Sequence, residues 1–140
     1  MKIPFLTKPA IKKVTGEAFG TERAQLTTLV NEFLQELPEL LTFSVVDIKS
    51  ARVLVAYTSQ ANFDPYKLAT HNTKVVKEFQ KALTASWLGD QQMNDLAIVL
   101  EDQFHIIRLM PDRRRYCHLA VKSSDTNMAI AREIMRSLAK

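Results

Sequence analysis

The chain has 140 residues, 46% hydrophobic and 24% charged, which describes one globular domain large enough to bury a core. Its 3 glycines and 5 prolines argue against long linkers, and the net charge of +4 permits an acidic partner without demanding nucleic acid. The single cysteine, Cys117, excludes an internal disulfide framework and fits a reducing cytoplasm, and no apolar run approaches the roughly 18 residues of a membrane span.

Residues 1–20 read as a basic N-terminal extension with Lys2, Lys8, Lys12 and Lys13. Its apolar patch is shorter than the roughly 7–15 residues of a signal-peptide core. Pro9 can open a short helical turn over Ala10 to Val14, which Gly16 and Gly20 would not continue. From residue 21 to 140 the chain reads as a single domain. Thr21 suits an N-cap, with Glu22 in the first turn. Leu26, Leu29, Val30, Phe33, Leu34 and Leu37 then form the apolar stripe of a helix, which Pro38 stops.

Thr42 to Ile48 and Arg52 to Thr58 read as two strands. Their short connection enforces antiparallel pairing. Ser59 to Phe63 is a loop. Asp64 as cap and Pro65 at the first position open a second helix, running to about Ser86. Leu68, Val75, Phe79 and Leu83 make its apolar stripe, widened by Val76 and Ala82. Lys67, Lys74, Lys77 and Lys81 lie on nearly the opposite side. Trp87 and Gly89 follow the helix, and Asp90 to Met93 is polar.

Asn94 to Val121 reads as a meander of three strands. Leu96 to Leu100 is a continuous apolar run, as expected of a strand buried on both faces. Glu101-Asp102-Gln103 is a polar turn, Phe104 to Met110 the next strand, Pro111 to Arg114 the next turn, and Tyr116 to Val121 the last strand. Ser124 or Asp125 caps a final helix with Met128, Ala131, Ile134, Met135 and Leu138 inward. The order is α-β-β-α-β-β-β-α. This is an α+β sandwich with a five-stranded, mainly antiparallel sheet and helices on its faces.

No constellation announces catalysis. Cys117 and His118 are neighbours in a strand and point to opposite faces. If Met110 pairs with Arg115, Ile107 lies opposite His118, with His105 two positions along. That supplies two metal ligands at best, where a site needs three or four. His71 lies between the apolar and basic sectors of the second helix and reads as a surface or interface residue. There is no glycine-rich phosphate loop, so the chain shows no sign of binding a nucleotide. Arg113-Arg114-Arg115 at a turn can grip phosphates or acidic side chains, against the simpler reading of a solvated turn. The lysine stripe lacks the interleaved aromatics of a nucleic-acid surface and reads as a solvent face.

The element order, the hairpin "VVD…VLVA", Asn94-Asp95-Leu96 at a strand entry, Pro111-Asp112 at a turn and Leu119-Ala120-Val121 before the last helix together resemble the roadblock/dynein light chain family. The likeness covers about residues 22–140. One departure is the first hairpin turn, where the family often has glycine and this chain has Lys49-Ser50-Ala51-Arg52, so the turn is expected to use a conformation that other residues tolerate.

The resemblance implies a roadblock/profilin-like fold and a dimer whose second helices pack together while the strands at 96–100 pair edge to edge. It places Val76, Phe79, Leu83, Ala97 and Val99 at that interface. It further implies a non-enzymatic platform without cofactor that regulates or scaffolds a Ras-like small GTPase, or serves a motor or signalling complex. Similar bacterial proteins are GTPase-activating partners in polarity and gliding systems. The residues offered to a partner are Lys67, Lys74, Lys77, Lys81 and Arg113 to Arg115. The alternative function is a nucleic-acid or anionic-surface binding module using the same arginine turn and lysine stripe.

Overall fold

The computed structural model describes residues 13–140. In chain order the elements are β1 (Lys13–Thr15), α1 (Gly20–Glu36), β2 (Thr42–Asp47), β3 (Val53–Thr58), α2 (Pro65–Thr84), β4 (Asp95–Val99), β5 (Gln103–Leu109), β6 (Arg115–Lys122) and α3 (Met128–Leu138). The strands form one sheet in the order β1-β3-β2-β6-β5-β4. Every neighbouring pair is antiparallel. The sandwich is therefore as expected, with six strands among the described residues rather than five.

The added strand comes from the stretch read as an extension. Lys13, Val14 and Thr15 pair with Thr58, Tyr57 and Ala56. Lys13 and Val14 cannot then belong to a helical turn, and Ala10 to Lys12 of the expected turn lie outside the described residues. Gly16 follows at φ 138 against the β3 backbone, where an added Cβ would meet the Leu54 carbonyl oxygen and stand 2.6 Å from the Val55 Cα. Only glycine fits this approach of two backbones.

Side-chain alternation divides the core in two. On one face α1 and α3 cover Phe43, Val45, Val55, Ile106, Cys117, Leu119 and Val121. Phe33 of α1 stacks on Phe43 with ring centroids 4.3 Å apart. On the other face α2 packs on β2 and β3, over Val46, Val53, Ala56 and Tyr116. Helix α1 begins at Gly20 with Phe19 in the N-cap position and no side-chain cap, so Thr21 lies inside the helix. Asp64 caps α2 as expected, its carboxylate accepting from the Tyr66 and Lys67 amides at 2.9 and 3.2 Å. Asn127, rather than Ser124 or Asp125, caps α3 by accepting from the Ile130 amide at 2.8 Å.

The β2–β3 turn departs from expectation. Ala51 adopts φ 61, the left-handed region that glycine favours. The turn holds this conformation through Asp47, whose carboxylate accepts from the Ser50 amide at 2.9 Å and hydroxyl at 2.7 Å. The Ser50 hydroxyl is the main cause holding the Asp47 carboxyl below its ordinary pKa.

Candidate functional site

Strand β4 is a sheet edge: it pairs with β5 and, among the described residues, has no strand on its other side. The Leu100 amide donates to Gln103 O at 2.8 Å and Asn94 O accepts from the Leu109 amide at 3.0 Å. Even-numbered residues thus turn their backbone groups toward β5, and antiparallel alternation turns those of Ala97 and Val99 outward. The side chains divide the other way. Ala97 lies opposite Ile106, on the α1/α3 face, and Ile98 opposite His105, on the α2 face. This strand is not buried on both faces as its composition suggested. Val99 is 71% exposed, and Ile98 and Leu100 are exposed beside it. Neither face of a terminal strand is fully roofed by helices of its own chain. Asp95 pins the start of β4, accepting from Arg108 of β5 at 3.3 Å and from Arg132 of α3 at 3.1 Å.

Helix α2 offers a second apolar surface. Its inward residues are Ala69, Asn72, Thr73, Val76 and Leu83. Val76 and Leu83, expected at a dimer interface, instead fill the protomer's own core. The reason is a buried polar contact that hydrophobic periodicity does not register. Thr73 Oγ1 and Tyr116 Oη lie 2.8 Å apart, and Tyr116 Oη donates to Ala69 O at 3.3 Å. Polar side chains so occupy inward positions, and Val75, Phe79 and Ala82 turn outward. Val75 and Phe79 are each 45% exposed and line a shallow apolar groove with Ala82 and Ala85. Trp87, just beyond α2, is 89% exposed. Sequence reasoning passed over it as a helix-end residue, although a lone tryptophan in a polar segment was the available signal.

The basic residues are less free than their sequence suggests. Lys67 and Lys74 are exposed. Lys77 Nζ donates to Lys49 O at 3.1 Å, and Lys81 Nζ is 3.9 Å from Glu78. In the arginine triplet, Arg113 sits at φ 61 and its guanidinium donates to Met93 O at 2.6 Å. Arg115 Nε donates to Asp112 at 2.9 Å, with Glu22 of α1 at 3.9 Å. Burial pushes the Asp112 carboxyl up, but the Arg114 amide and Arg115 guanidinium together hold it below the ordinary range. Among the described residues, Arg114 alone of the three has no side-chain partner. The triplet therefore mostly buttresses its own turn.

The histidines meet as the register implied. Ile107 faces His118, and His105 Nδ1 lies 2.9 Å from His118 Nε2. His105 Nε2 is 2.7 Å from Gln103 Oε1, which accepts. With Nε2 of His105 protonated, its Nδ1 accepts from His118 in the neutral pair. Burial pushes the His118 pKa down to about 3, with a lesser contribution from His105, and burial also lowers that of His105. Cys117 points to the other face, where burial raises its thiol to about 12. Among the described residues, no three His, Cys, Asp or Glu side chains cluster to hold a metal ion. His71 is exposed on α2. No helix among them is long and apolar enough to cross a membrane.

A six-stranded antiparallel sheet with two helices on one face and one on the other, ending in an open apolar strand, defines an α/β sandwich of roadblock type. Solved structures share it. Myxococcus xanthus MglB superposes with a TM-score of 0.75 at 9% identity, over 88% of each chain. An MglB with tetrameric arrangement gives 0.72 at 14% identity, over 96% of this chain and 93% of that one. A Roadblock/LC7 domain from Streptomyces avermitilis gives 0.63 at 10% identity, over 80% of this chain and 89% of that one. At these identities the likeness is one of fold, and the chain has the roadblock fold. No protein-family model matches the sequence, and no curated protein matches it.

Proposed function

We propose that this chain is a dimeric, non-enzymatic regulator or scaffold of a Ras-like small GTPase in the cytoplasm. The observation that carries the reading is the open, exposed edge of β4, whose Ile98 and Leu100 lie on the sheet face that α2 covers. An unpaired apolar edge invites pairing with another strand, and closed two-fold dimers are the commonest assembly. Two β4 strands paired through Ala97 and Val99 extend the sheet across the dimer. Val75 and Phe79 of α2, with Ile98 and Leu100 of β4, then meet their symmetry mates. The fold shared with MglB, including one of tetrameric arrangement, supports a self-associating regulator.

The GTPase rests on the roadblock resemblance. The platform acts by binding one conformation of the partner's switch region more tightly than the other, which shifts its population. Of the basic residues expected to meet a partner, Lys67, Lys74 and Arg114 have no side-chain partner among the described residues and are the ones left to meet an acidic surface. The engagement of Arg113 and Arg115 within their turn weighs against a nucleic-acid surface. The test is an affinity pull-down from nuclease-treated native lysate with GDP or a non-hydrolysable GTP analogue, read by mass spectrometry. A small GTPase retained in one nucleotide state is expected. Capture of no GTPase in either state, with retained material lost on nuclease treatment, overturns the reading.

A further inference from the structure

The face opposite α2 carries a groove that the proposed dimer edge does not use. It follows the seam between α1 and α3 as two hollows of about 440 and 360 Å³ that share Glu36. Its apolar lining comes from Leu37, Ile130, Ile134 and Leu138, and Ile130 is 52% exposed. Its rim is acidic: Glu32, Glu36, Glu39, Asp125 and Glu133. Among the described residues, only Glu133 of these has a cation within ion-pair distance, Arg136. Glu39 and Asp125 crowd one another, and a hydrogen bond between them is the main cause raising the Glu39 carboxyl. The last turn of α1 holds Glu36 and no basic residue, so its charge adds to the negative end of the helix dipole.

These features fix the chemistry of an occupant. It is cationic, because the rim gathers carboxylates on a chain whose net charge is +4. The molecule as a whole does not attract a cation, so the local rim does the selecting. The occupant also satisfies its own backbone. The groove walls are the side chains of two helices, whose interior amides and carbonyls are bonded along each helix, so the seam offers no ladder to an extended strand. A helix carries its own hydrogen bonds and lays one apolar stripe into such a seam. The length fits. Ile130, Ile134 and Leu138 follow one face of α3 at i, i+4 and i+8, a span of about 12 Å that matches roughly two turns of an incoming helix. We propose that the α1–α3 groove docks an amphipathic helix of a partner protein, its apolar stripe over Ile130 and Ile134 and its lysines or arginines on Glu32, Glu36 and Glu39. The groove and α2 lie on opposite faces of the sheet, so this helix does not compete with the α2 surface.

The test is an NMR titration of the ¹⁵N-labelled full chain with a blocked synthetic helix of about 16 residues, leucine along one stripe and lysine on both flanks. Amides of Glu32, Glu36, Ile130 and Ser137 are expected to shift, while those of Lys67 and Lys74 do not. The same peptide with glutamate in place of lysine is expected to shift none of them. The charge reversal E32K/E36K, at exposed positions, is expected to raise the Kd on the order of ten-fold with the amide spectrum otherwise retained. Ile130→Ala, also at an exposed position, is expected to raise it several-fold by removing apolar contact. Shifts that are absent, centred on β4 or α2, or indifferent to E32K/E36K overturn the proposal. An effect of E32K/E36K with none from Ile130→Ala reduces the contact to diffuse attraction and overturns it as well. Groove shifts that grow with chain concentration in the absence of peptide seat a second copy there instead, and likewise overturn it.

Discussion

His118 Nε2 donates to His105 Nδ1 across 2.9 Å between neighbouring strands, and both rings are buried. Protonating His105 at Nδ1 removes the only acceptor in that contact and leaves two donors facing each other. Both folded pKa values lie below the ordinary 6.5, that of His118 at about 3. The native state so favours neutral rings. Their contribution to stability is fully present above pH 6.5 and is lost as pH falls toward the folded values. Each histidine adds at most about 1.4 kcal/mol per pH unit to the slope. Carboxylates with lowered pKa, such as Asp47, lose their contribution only below about pH 4. Urea unfolding at pH 7.5, 6.0 and 5.0 is expected to show a steady fall. Constant stability across that range would contradict a buried neutral pair.

Ala51 at φ 61 carries the strain of a left-handed residue with a Cβ, which costs about 1–2 kcal/mol. Glycine relieves it but loses more backbone entropy on folding, about 0.5–1 kcal/mol. Ala51→Gly is expected to stabilise by roughly 0.5–1 kcal/mol, read as a higher denaturation midpoint at unchanged slope. Arg113 has the same φ, but its guanidinium holds Met93 O, so Arg113→Gly is expected to bring no gain. Equal stabilisation by both would show that the Met93 contact does nothing.

Gly16 tests whether β1 belongs to the fold. A Cβ there has no room against the Leu54–Val55 backbone. Gly16→Ala is expected to cost about 3 kcal/mol or to release β1 from β3. Hydrogen exchange reads the second outcome as lost protection at the β1–β3 ladder. Wild-type stability and protection would contradict the close approach.

Cys117 should be chemically silent. It is fully buried and its thiol is raised to about 12, so almost no thiolate exists near neutrality. Reaction with a disulfide reagent in native buffer is expected to follow the unfolding rate and to become complete in denaturant. Rapid labelling of the native protein would sink this reading.

Most of the sandwich was legible in the chain because its signals are local. The Leu26 to Leu37 stripe ended by Pro38 marks α1, and Asp64-Pro65 marks the start of α2. The pairing of Ile107 with His118 followed from the Pro111 turn alone. β1 was not legible, because three residues, Lys13 to Thr15, give too little alternation and their partner lies far along the chain. The facing of α2 was hidden by Thr73, whose bond to Tyr116 puts a polar side chain in the core and sends Phe79 outward. The arginine triplet looked free because nothing in a linear sequence shows that Met93 and Glu22 come back to meet it. The apolar run at Leu96 to Leu100 looked buried because composition alone does not distinguish an apolar edge strand from a central one.

That edge is where the account is most directly tested. The Val99 amide points away from β5, so Val99→Pro removes an outward donor and leaves the β4–β5 ladder intact. Sedimentation velocity of wild type and Val99→Pro, with circular dichroism to establish that the variant folds, is the decisive measurement. The account predicts a wild-type dimer and a folded, largely monomeric variant. A wild-type monomer, or a variant that sediments as an unchanged dimer, would contradict assembly through β4.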